Sequence, residues 1–133
     1  MKLKLITVGA LLGLSLFSAS CTNNGDGTSG ITVTEIEYSV DVVGTATVSQ
    51  IEYTATDGTV TTVAAPTLPF TVQASREEGQ SGTLVVMGSA PGIGNSITAT
   101  LQDDPLFVVV PVVYGTETCE DLDPCTLTIV HTF

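Results

Sequence analysis

From Ile31 onward, apolar residues recur at every second position, and that period restricts the chain to strands. Ile36, Tyr38, Val40 and Val42 share one parity, while Glu35, Glu37, Ser39 and Asp41 take the other. Alternation of this kind gives a strand one dry face and one wet face, whereas an amphipathic helix needs a period of 3.6. Ile51, Tyr53 and Ala55 repeat it against Gln50, Glu52 and Thr54. Ile97, Ala99 and Leu101 do so again, and Leu127, Ile129, His131 and Phe133 share one parity in the last strand. No segment of this region shows a helical period.

Turn residues punctuate the pattern. Asp57-Gly58 lies between two β-rich runs and predicts a hairpin whose return strand is Thr59 to Val63. Pro66 and Pro69 bracket Leu68 and interrupt pairing, because proline donates no ladder hydrogen bond. Phe70 to Ala74 reads as a short strand ended by a charged turn, Arg76 to Gly82. Leu84 to Met87 is apolar throughout and reads as centrally buried, and 90–95 is a loop. Leu106 to Val113 is apolar with Pro111 inside it, which predicts an edge or bulged strand. Some seven to nine strands at this spacing predict an all-β domain over residues 31–133, an antiparallel immunoglobulin-like β-sandwich.

The residues before the domain carry a different message. Lys2 and Lys4 precede an apolar run from Leu5 to Phe17, and Ser18-Ala19-Ser20 leads directly to Cys21. The run is too short to span a bilayer, which takes roughly 20 residues, and reads as a secretory signal. A cysteine after small residues resembles a bacterial lipoprotein signal, with cleavage after residue 20 and acylation of Cys21. Ser18 stands where such signals usually carry Leu, and the plainer alternative is an ordinary secretory signal with Cys21 as a passenger. Residues 21–30 then form a lipid-bearing cysteine and a polar, glycine-rich tether. A flexible stretch of nine such residues spans about 16 Å root-mean-square.

Charge excludes several partners. Removal of residues 1–20 leaves Arg76 as the one cation against 14 carboxylates, a net of −13. Such a surface repels nucleic acid, whose binding is driven by neutralising phosphates with Lys and Arg. It also repels anionic head groups, so the expected hold on a membrane is the acyl chains at Cys21.

Tyr38-x-Val40, Gly44-x-Ala46, Ile51-x-Tyr53, Asp57-Gly58 and Leu68-Pro69-Phe70 follow one another in an order that resembles the extracytoplasmic domain of the MmpS family of small mycobacterial membrane proteins. The likeness is nearer to its lipid-anchored relatives and covers roughly residues 31–101. It implies an immunoglobulin-like sandwich and an accessory role beside lipid and siderophore exporters, with no catalytic residues to carry over. Phe70 stands where that family usually has Trp. A cysteine-bearing signal replaces the family's retained membrane helix, and the acidic segment after Gly115 has no counterpart in it.

The remaining candidates divide between chemistry and plain structure. With three cysteines in an exported chain and Cys21 lipidated, Cys119 and Cys125 are expected to form a disulfide. Glu117, Glu120, Asp121 and Asp123 put four carboxylates near that bridge and are the candidate calcium ligands, against the plainer reading of a solvated acidic loop. Asp103-Asp104-Pro105 reads as a turn before it reads as a glycosidase pair, since neighbouring strand residues point to opposite faces. His131 is in phase with the apolar face and reads as a core or rim residue. Gly88-Ser89-Ala90 is not a nucleophile elbow, and Gly92-Ile93-Gly94 is not a nucleotide loop. The expectation is a non-enzymatic cell-envelope lipoprotein, an accessory or binding module with an envelope or exporter partner and no cofactor. A calcium- or ligand-binding adhesion-type module is the alternative.

Overall fold

A computed structural model describes residues 30–133. Eight strands and no helix fill this range: β1 (Val33–Val43), β2 (Thr47–Thr54), β3 (Val60–Ala64), β4 (Phe70–Glu77), β5 (Ser81–Ala90), β6 (Ser96–Asp103), β7 (Val113–Glu120) and β8 (Leu122–Thr132). They form two four-stranded sheets, ordered β4-β1-β6-β7 and β3-β2-β5-β8, and every neighbouring pair is antiparallel. This is the expected β-sandwich.

The alternation builds the core. Ile36, Tyr38 and Val40 of β1, Leu84 and Val86 of β5, and Ile97, Ala99 and Leu101 of β6 are all fully buried. Cys125, Leu127 and Ile129 line the inner face of β8. In β2 the inward parity switches from Val48 to Ile51, because a bulge between Val48 and Gln50 inserts an extra residue into the pairing with β5. Tyr53 then stacks at a tilt between Tyr38 and Phe70, with ring centroids 5.8 and 6.1 Å apart, and Phe70 packs half-buried against the core. The Asp57-Gly58 hairpin forms as expected, with Thr59 N–H donating to the Asp57 carboxylate at 2.9 Å, and the return strand starts one residue later, at Val60.

Three segments depart from the sequence reading. Leu106 to Val113 is not a strand: residues 104–112 form a loop, and only Val113 enters β7. Its apolar run lacks the alternation that would give one face to the core, and Pro105 and Pro111 remove two ladder donors. Arg76 is not in a turn either. β4 continues to Glu77, and Arg76, in phase with Ala74, is only 1% exposed. Its guanidinium donates to the Ser75 and Thr54 carbonyls and to the Tyr38 hydroxyl, all neutral partners, and its Nε is unpartnered. Leu84 to Met87 is buried on one face only: Leu84 and Val86 point inward, whereas Met87 is 37% exposed, because each sheet of a two-layer sandwich keeps an outer surface.

The pairings also fix which loops share an end. β1 begins where β6 and β4 finish, with Ile36 opposite Asp103 and Val33 opposite Glu77. Residues 30–32, the 55–59 hairpin, the 78–80 turn, the 104–112 loop and Phe133 therefore gather at one end. The 44–46 turn, the 65–69 and 91–95 loops and Asp121 gather at the other.

Candidate functional site

At the end where β1 begins, two buried aspartates hold the 104–112 loop by its base. Asp103 closes the last pairing of β6: its N–H donates to the Val112 carbonyl at 2.9 Å, and its carboxylate accepts from Val112 N–H at 3.0 Å. The other carboxylate oxygen accepts from the Tyr114 hydroxyl. Asp104 makes the first bend, accepting from Leu106 N–H at 2.9 Å through its side chain and from Phe107 N–H at 3.0 Å through its carbonyl, while its own N–H donates to Glu35 O. This is the local side chain-to-backbone bonding that suits aspartate to turns. Burial, and secondarily the Asp103 carboxylate, push the Tyr114 hydroxyl up to about 12.

What these aspartates present is apolar. Leu106 is 80% exposed, Phe107 70%, Val110 79% and Val109 fully so. No charged residue lies between Pro105 and Tyr114. Isolated exposed apolar side chains are ordinary, whereas a contiguous exposed run is the kind of feature found at contact surfaces.

Beside the loop, Tyr114 stacks on His131 at 4.5 Å and meets Phe133 edge-on at 4.8 Å, joining β7 to the end of β8. His131 is half-buried in this cluster. The Asp103 carboxylate is engaged by Tyr114 and Val112, and Asp104 by Leu106, so neither faces His131 as an acid–base pair would. Two surface grooves, one lined by Gly30, Ile31 and Glu77–Gly79 and the other at the far end, do not include these residues.

The acidic candidates sit at the far end and do not converge. Glu117 and Glu120 lie on β7, three residues apart on a regular stretch, and so point to opposite faces. Asp123 lies on β8, and Asp121 makes the connection between the two strands with φ 51°. The acidic segment is thus mostly strand rather than loop. The Asp121 carboxylate accepts from Gly92 N–H at 2.8 Å. Among the described residues no three His, Cys, Asp or Glu side chains group as a metal site. A groove of about 450 Å³ runs between Val43, Ile93, Asn95, Glu120 and Asp121. Cys119 and Cys125 are bonded, with Cα atoms 6.4 Å apart, and the bridge ties β7 to β8 across the two sheets.

The Asp103-Asp104-Pro105 step predicts a turn, which holds for Asp104; the burial of both aspartates and their grip on the apolar loop go beyond it. The available signal was an Asp-Asp-Pro step followed by an apolar run without alternation. Cys21 and the signal lie outside the described residues. Neither a scan against protein-family models nor a search of curated proteins finds a match to this chain.

Proposed function

We propose that this chain is an exported lipoprotein, held on a bacterial membrane by acyl groups at Cys21, whose β-sandwich serves as a non-enzymatic accessory or binding module of the cell envelope. The observation that carries this reading is what the reactive side chains do. Asp103, Asp104, Tyr114 and Arg76 are engaged in holding backbone and neighbouring side chains, and the prominent exposed feature is an apolar contact surface. The segment 1–21, with its positive start, apolar run and small residues before a cysteine, supports export and lipidation. The bond between Cys119 and Cys125 fits an oxidising compartment and leaves Cys21 as the odd thiol. The resemblance of residues 31–101 to the MmpS domain supports an envelope transport partner as the class of protein served.

Palmitate labelling of the full chain in a bacterial host tests the proposal. Label is expected on the membrane-bound wild type and lost in Cys21→Ser. An unlabelled wild-type chain that still begins at Met1 and stays in the cytoplasm would overturn it.

A further inference from the structure

We infer that the apolar loop Pro105–Val113 inserts into the bilayer to which Cys21 would be anchored, making the domain bind lipid through a second, peptide contact. This rests on the lipoprotein reading above, and three observations point to it.

The first is position. The chain enters β1 at the end of the sandwich that carries the loop, since Ile36 pairs with Asp103 and Asp104 N–H bonds to Glu35 O. Ten flexible residues, 21–30, span about 17 Å root-mean-square, roughly half the length of β1. The eleven residues of β1 span about 36 Å along the strand, so the far end stands a whole domain length further from the anchor. Of the two ends, the loop end is the one the anchor keeps near the lipid.

The second is chemistry. Leu106, Phe107, Val109 and Val110 project from one short segment without a charge among them, whereas the other exposed large apolar residues, such as Val60, Ile93 and Val130, lie apart along the chain. A net charge of −13 after cleavage repels a protein partner of like sign and an anionic membrane, but costs little against the hydrocarbon of a zwitterionic one. The third is construction. Asp103 and Asp104 fix both feet of the loop by side chain-to-backbone bonds, so its apolar residues are displayed from a rigid base. An interfacial segment of this kind buries its apolar side chains about 5–10 Å into the boundary between head groups and acyl chains.

The chain has no tryptophan, so a single introduced one reports its own surroundings. The lipidated full chain carrying Phe107→Trp is mixed with phosphatidylcholine vesicles containing brominated acyl chains. The control is Ile93→Trp, at a position 97% exposed at the far end. Expected are a blue shift and strong quenching for Phe107→Trp, little change for Ile93→Trp, and loss of the quenching when Val109→Asp and Val110→Asp are added. Both valines are exposed, so the added charges leave the core untouched, which an unchanged circular dichroism spectrum checks.

Flotation with the vesicles reports the anchor, and quenching reports the loop. A chain that floats while Phe107→Trp stays as unquenched as the control overturns insertion and leaves the anchor standing. A chain that does not float because Cys21 carries no lipid overturns both. A blue shift that needs no vesicles and grows with protein concentration identifies a second copy of the chain as the occupant, and overturns the bilayer.

Discussion

At the end of the sandwich where β1 begins, Asp103 and Asp104 bond to the backbone of a loop that exposes leucine, phenylalanine and valine. At the opposite end, Asn95 and Asp121 do the same for the 44–46 turn and the 91–95 loop, which carry no charge themselves and lie beside the carboxylates of Glu120, Asp121 and Asp123. Asn95 accepts from Thr45 N–H at 2.7 Å, and its amide donates to the Gly92 carbonyl at 3.2 Å; Asp121 accepts from Gly92 N–H. Gly44 at φ 72° leaves the room this needs, since a Cβ there would sit 2.0 Å from the Asn95 side-chain oxygen. One device, a short polar side chain satisfying backbone groups of a loop, thus serves both ends of the sandwich. The difference lies in burial. Asp103 and Asp104 are 8% and 1% exposed, whereas Asn95 and Asp121 lie at the rim, and a bond made away from water is costly to lose.

That contrast is open to direct attack, starting with its strongest element. Asp103→Ala is expected to cost about 3 kcal/mol in urea unfolding, because it strips partners from both the Tyr114 hydroxyl and Val112 N–H. Asp121→Ala should cost about 1 kcal/mol, as its bond to Gly92 can be replaced by water. Equal losses at the two positions would remove burial as the distinction.

Next comes the β7–β8 edge, clipped by the disulfide at the far end and by the Tyr114–His131–Phe133 cluster at the near one. Reducing Cys119–Cys125 should lower stability by about 2 kcal/mol, the entropy of closing a short loop. Amide exchange should then rise around residues 119–125 and stay slow around Tyr114. Uniform loosening along the edge would show that the aromatic cluster holds nothing by itself.

A smaller effect separates the ends by pH. The Tyr114 hydroxyl is raised from 10.0 to about 12, so its folded form holds the proton more tightly than the unfolded chain does. Its contribution to stability is complete below pH 10 and is lost as pH rises through about 12. Ultraviolet titration should show a tyrosine ionising near 12 that vanishes in Tyr114→Phe.

Smallest of all is the expected response of the acidic end to calcium. With Glu117 and Glu120 on opposite faces and Asp121 bonded to Gly92, millimolar calcium should move the melting temperature no more than magnesium does. A saturable shift specific to calcium would make the far end a site after all.

Particular residues show how far the sequence could be read. Ile36-x-Tyr38-x-Val40 and Ile97-x-Ala99-x-Leu101 alternate, and they stand fully buried on inward faces. Asp57-Gly58 carries its turn within itself, and the hairpin formed where expected. Arg76, followed by Glu77-Glu78-Gly79, looked like part of a charged turn. Its guanidinium turns inward because Tyr38 and Thr54, 38 and 22 residues away, offer oxygens that no local pattern reveals. The Leu106–Val113 run had enough apolar residues for a strand but no alternation to assign it a face. Of the candidate site, Cys119–Cys125 was legible from parity, whereas the aspartate-held loop was not.

Local backbone chemistry therefore determined the strands and turns, because a period of two and a glycine's conformational freedom act between near neighbours. Tertiary structure decided which groups are dry. Burial depends on partners brought together by pairing, and so Asp103, Asp104 and Arg76 went inside while a run of leucine, phenylalanine and valine was left facing out.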